Sequence, residues 1–226
     1  MKKFLLPALA LAAAFTVNAQ DQEAKPSLPG EVNPAVSSLR LASELVKYGY
    51  AQQSALPLID ALQIISENPV GDLDATKEGE TEVVSLEGKN GTVTIDFAEI
   101  LGKAREYAAD DANLLAIIDV IEKDSKGAHR GRVGGATRKY DVVKANTTDV
   151  YTIKFYGDRL AEIGVSGDGD TDLDLYVYDS NGNLIESDTD YSDDCYVSWV
   201  PRWTGNFKVK IVNRGRVANR YLLLTN

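Results

Sequence analysis

The sequence predicts an α+β protein, a small helical N-terminal domain followed by an antiparallel β-sandwich. Three observations lead there. Apolar residues recur at helical spacing between Pro34 and Ser125, a glycine-rich basic stretch interrupts them from Lys126 to Arg138, and from Lys139 onward the apolar period becomes two. The 226 residues suffice for one large or two small domains.

The first segment, MKKFLLPALALAAAFTVNAQ, has Lys2 and Lys3, an apolar run from Phe4 to Val17, and a small-x-small pattern at Val17-Asn18-Ala19. This reads as a secretory signal peptide over residues 1–19, which places the product in the periplasm or outside the cell. No other stretch approaches the about 18 uninterrupted apolar residues of a membrane span. Loss of Lys2 and Lys3 leaves 22 basic residues against 34 acidic ones, a formal charge of −12. That balance argues against nucleic acid as a partner. Cys195 is the only cysteine, so no internal disulfide forms and stability rests on core packing and, where the acidic residues gather, a metal. Residues 20–33 include Pro26 and Pro29, show no periodicity, and read as a disordered tether.

The helical domain is assigned to residues 34–125. Leu41, Leu45 and Tyr48 are read as one stripe, the pattern breaks near Gly49 to Gln53, and Ser54 stands where a cap for the run SALPLIDALQII is needed. EVVSLEGKNGTVTI holds two β-prone runs around Asn90-Gly91, a short β-hairpin. A second helical pair follows, with Asp96 and Asn113 as caps and Phe97, Ile100, Leu101, Ala104 and Ala108 on one side. It echoes the first at an offset of 59 positions, Tyr48 on Tyr107 and Ile59 on Ile118. A duplicated hairpin and the ordinary likeness of amphipathic helices both account for that echo. Residues 126–138 read as an exposed basic linker. It holds His129, the only histidine, with no neighbouring nucleophile or carboxylate to work with.

In residues 139–226, Tyr151, Ile153 and Phe155 alternate with polar partners. So do Ala161, Ile163 and Val165; Leu173, Leu175 and Val177; Cys195, Val197 and Trp199; and Phe207, Val209 and Ile211. Short strands at this spacing form a sandwich, with Cys195 facing the core as a small hydrophobe. Leu173, Leu175 and Val177 then force Asp172, Asp174, Tyr176 and Tyr178 to the other face. A hairpin at Asn181-Gly182 brings ESDTDYSDD back toward the same edge. Between Asp158 and Asp194 stand twelve acids and one base, Arg159. Two carboxylates about 4 Å apart repel by ~1 kcal/mol even in water. Calcium is one answer, held by Asp170, Asp172, Asp174, Asp193 and Asp194 at a strand end, because it accepts six to eight oxygens in loose geometry. An EF-hand is excluded, since the glycine required at the sixth position is Leu173. A solvated acidic face, or pairing with the six bases of Pro201 to Asn226, is the other answer. Trp203, beside Arg202 in a loop, is the candidate for ligand stacking, against a plain packing role.

GDGDTDLDLYVYDSNGNLIESD followed by CYVSWVPRWTGNFKVKIVN resembles the bacterial pre-peptidase C-terminal domain. The resemblance implies a jelly-roll-like β-sandwich over residues 139–226, an accessory module of secreted enzymes that in the collagenase relatives binds calcium and polymeric substrate. The neighbour expected from that family is a peptidase domain, and here it is a helical region. The reading for the whole chain is a secreted, non-catalytic binding or accessory protein, a calcium-stabilised monomer whose ligand is a protein or a polysaccharide. The alternative is a secreted hydrolase working through surface carboxylates.

Overall fold

The computed structural model describes residues 25–26, 34–78, 93–128 and 135–226. The expected signal peptide, nearly all of the expected tether, the expected turn at Asn90-Gly91 and His129 lie outside the described residues. In chain order come β1 (Lys25–Pro26), α1 (Pro34–Gln52), α2 (Ala55–Glu67), β2 (Gly71–Asp72), β3 (Thr76–Lys77), α3 (Phe97–Ala108) and α4 (Ala112–Ala128). The strands β4 (Thr137–Val143), β5 (Thr148–Phe155), β6 (Ala161–Gly167), β7 (Leu173–Tyr178), β8 (Leu184–Asp188), β9 (Asp194–Val200), β10 (Gly205–Asn213) and β11 (Asn219–Thr225) follow. Thus α4 runs into the expected linker as far as Ala128, and β4 begins inside it at Thr137.

The strands form a six-stranded sheet in the order β1-β9-β6-β11-β4-β2 and a five-stranded sheet in the order β3-β5-β10-β7-β8. Every apolar stripe read from the period of two lies between them, including Trp199, Phe207 and Cys195. The Cys195 thiol donates to the Leu173 carbonyl, and burial pushes its pKa up, so it is inert.

The helices cover the outer face of the six-stranded sheet. All seven residues of β6 are buried, because Ile163 and Val165 face the other sheet while Glu162, Gly164 and Ser166 lie under helix α1. A Cβ at Gly164 would stand 2.7 Å from Arg40 Cδ, so a larger residue here would displace the Arg40 side chain of α1. In β11, Tyr221 and Leu223 enter the sandwich core while Leu222 and Leu224 join the helical core of Leu39, Leu58, Leu62 and Ile100. One sheet therefore serves two cores.

That packing corrects the reading of α1. Its buried stripe is Val36, Leu39, Ala42 and Val46, while Leu41 and Tyr48 are 53% and 59% exposed. The caps divide. Asp96 accepts from Glu99 N–H at 2.9 Å as expected; Ser54 holds an extended cap backbone but makes no side-chain cap bond. Asn113 is not the cap of α4, because Asp111 accepts from the N–H groups of Asn113 and Leu114.

The polar segment after α2 stitches the layers together. Its strand β2 pairs in parallel with β4 at the edge of one sheet, and β3 pairs antiparallel with β5 at the edge of the other. Lys77 then reaches between the sheets, where Nζ lies 3.0 Å from Asp141 and 2.8 Å from Asp149. Tyr151 donates to Asp141, and Tyr221 to Asp149. Lys77→Met would leave both carboxylates without their cation, so we expect a loss of about 3 kcal/mol in urea unfolding at neutral pH. The loss should shrink on acidification, Asp149 protonating first because burial holds its pKa above the usual value.

Candidate functional site

Pairing of β6 with β9 and β11, and of β7 with β10, brings three loops to one end of the sandwich. They are residues 168–172, 189–193 and 214–218, and the first two carry the aspartates. Asp168 is buried; its Oδ2 accepts from Arg220 N–H at 2.8 Å and its Oδ1 from Asp170 N–H at 3.3 Å. Asp193 accepts from Gly169 N–H, and from the Asn219 side-chain amide at 3.5 Å. Gly169 has φ of +85°, and a Cβ on Gly167 would collide with Asp193 and Asn219, so both glycines belong to the shape of this rim.

The five expected metal ligands divide into two groups. Asp174 is gripped by Arg214, whose Nε stands 2.6 Å from Oδ2, and it also accepts from the Tyr176 hydroxyl. Asp194 is paired with Lys47 of α1 at 2.8 and 2.9 Å. These two carboxylates already have cations. Asp170, Asp172 and Asp193 stay in the loops, and Asp172 Oδ1 is buried without a hydrogen-bond partner. Among the described residues no three acidic, histidine or cysteine side chains are gathered closely enough to hold an ion as they stand. Burial raises the pKa of Asp168, helped by the charges of Asp170 and Asp193. Burial likewise raises that of Asp172, with Asp174, Asp190 and Asp193 adding to it against Arg214.

Beside the rim, the outer face of the five-stranded sheet carries Tyr176 and Tyr178, stacked with centroids 6.4 Å apart and an interplanar angle of 26°. Lys210 Nζ lies 4.7 Å from the Tyr178 centroid, Arg214 donates to the Tyr176 hydroxyl at 3.1 Å, and Lys208 is exposed opposite Tyr178 in register. The described helices pack on the other sheet, so they leave this face open; on it Lys208 is paired with Glu78 at 2.9 Å and Arg214 with Asp174. Sequence alternation placed both tyrosines outward, but nothing in it brought the β10 lysines onto them. The other ligand candidates lie elsewhere. Trp203 stacks on core Phe207 at 5.7 Å and is half-buried, while Arg202 is exposed.

A carboxyl whose folded pKa is raised binds its proton more tightly in the folded state, so it subtracts stability as pH rises through that value. In chelator the rim should therefore be more stable between the ordinary carboxylate value, about 3.9, and the raised one than at neutral pH. Asp172→Asn should raise the melting temperature at pH 7 in chelator and flatten that pH dependence, both followed by circular dichroism.

No family model matches the chain, and no curated protein matches it. Among solved structures it is similar to a periplasmic inhibitor of g-type lysozyme from Aeromonas hydrophila, at 12% identity over 40% of this chain and 84% of that one, TM-score 0.31. The corresponding inhibitor from Salmonella Typhimurium gives 16% identity over 42% and 90%, TM-score 0.30. The pre-peptidase C-terminal domain of a Bacillus anthracis collagenase gives 15% identity over 42% and 92%, TM-score 0.33.

Proposed function

We propose that this is a non-catalytic binding or accessory protein of the periplasm or extracellular space, holding an anionic polysaccharide on the open face of its five-stranded sheet. The observation that supports this is the stacked Tyr176–Tyr178 pair with Lys210 beside it, on a face the described helices leave open; Lys208, opposite Tyr178, is paired with Glu78 at 2.9 Å. Aromatic rings offer area to a flat ligand with little side-chain freedom to lose, and the Lys210 ammonium selects for negative charge. The acidic helical layer and the overall negative charge confine that selection to one face. Tyr178→Ala and Lys210→Ala should each weaken retention on polygalacturonate in affinity electrophoresis, by about 1 kcal/mol. Retention equal to that on neutral dextran, or unchanged in both variants, refutes the reading. Binding to an extended polypeptide instead, lost in the same variants, moves the ligand class to protein.

The proposal includes calcium at the rim. The orphaned Asp172 Oδ1 and the raised pKa values of Asp168 and Asp172 mark a place short of positive charge, and the donors are hard oxygens from loops, which suit this ion. Asp168, Asp170, Asp172 and Asp193 would hold it, with Asp174 and Asp194 in the surrounding charge because Arg214 and Lys47 occupy them. A ligand at a hundredfold its dissociation constant adds ~2.7 kcal/mol, several degrees of melting temperature. Midpoints should rise from chelator to magnesium to calcium at matched ionic strength, and the calcium increment should vanish in Asp172→Asn. Equal midpoints would leave the rim as a solvated acidic edge.

A further inference from the structure

Helices α2 and α4 enclose a groove of about 710 Å³ on the side of the helical layer away from the sheet. Its floor and one wall are Ile117, Val120 and Ile121, which with Asp124 follow one stripe of α4 at helical spacing. Ile117 is 46% and Val120 58% exposed, so two large aliphatic side chains on a four-helix layer face out of its core. Singly exposed apolar residues are ordinary, but a concave run of them between two helices has the shape that takes a third helix.

The charge around it selects the occupant. Glu67 and Asp124 are the charged residues lining the groove, on opposite walls, and no cation lines it among the described residues. Lys123, next to Asp124, is not part of its walls; Asp119 and Glu122 turn to Arg105 on α3. Asp60, one turn before Gln63 on α2, adds another exposed carboxylate on that helix. A membrane surface or nucleic acid would bring like charge to this rim.

We propose that the groove docks a basic amphipathic helix of a partner protein, its apolar stripe on Ile117 and Val120 and its lysines or arginines on Glu67 and Asp124. This surface is separate from the sheet face proposed for polysaccharide, and the two can fail independently. The probe is a fluorescein-labelled peptide of about 18 residues, roughly five turns, built from leucine, alanine and lysine, with a counterpart carrying glutamate for lysine. Anisotropy is measured on the full chain at low and moderate salt. The lysine peptide should bind saturably, more weakly as salt rises, and the glutamate peptide should bind about tenfold more weakly or not at all. Ile117→Ser with Val120→Ser, both at exposed positions, should cost about tenfold in affinity without lowering the melting temperature. Glu67→Lys with Asp124→Lys should invert the preference between peptides. Equal binding of both peptides, no binding, or binding indifferent to the serine variants overturns the proposal. Concentration-dependent self-association that the serine variants abolish does so too, by assigning the groove to a second copy.

Discussion

The two central strands of the six-stranded sheet, β6 and β11, are buried on both faces, and the rest of the molecule follows from that constraint. A strand covered on one side alternates apolar and polar residues, whereas one covered on both needs nearly continuous burial, as in β6 and in Tyr221 to Thr225 of β11. The polar groups left on its helix-facing side must then find partners without water. Ser166 meets Ser43, Glu162 accepts from the Tyr196 hydroxyl, and the Arg40 guanidinium lies 4.8 Å above the Tyr196 ring. At the edge of the same contact Lys47 reaches Asp194, so docking of α1 also neutralises part of the acidic rim.

How much of this was legible depended on the distance over which each residue finds its partner. The period of two exposed most of the sandwich core, since Phe207, Trp199 and Ile163 alternate within their own strands whatever lies across from them; it missed Val143, Tyr221 and Leu223, which do not stand out in an alternating run. The Asp96 cap was equally local. By contrast, the α1 stripe was misread because Leu41, Leu45 and Tyr48 are as well spaced as Val36, Leu39, Ala42 and Val46, and only the sheet beneath decides which set is buried. Of the rim's counter-charges, Arg214 belongs to the six bases of Pro201 to Asn226 that the sequence offered for pairing, though not with its partner Asp174 named. Lys47, 147 residues from Asp194 and in the helical half, was invisible for the same reason as the α1 stripe. The polar run after α2 gave no strand signal either, because two-residue strands are imposed by the sheet edges they join.

The two sheets consequently divide the surface. One is closed by helices whose outer side is acidic and apolar, and the other stays open with tyrosines and lysines. A molecule of net negative charge thus has two unlike faces, an acidic and apolar one on the helices and one with stacked tyrosines and Lys210 on the open sheet.

The double use of β11 also bears on how the protein is made. The helices come off the ribosome before the strands, yet Leu222 and Leu224, which complete their core, are synthesised nearly a hundred or more residues later. The edges that receive β2 and β3 likewise belong to strands made later. The early half must therefore wait with Leu39, Leu58 and Ile100 incompletely covered, and the many contacts of large sequence separation make the final step slow.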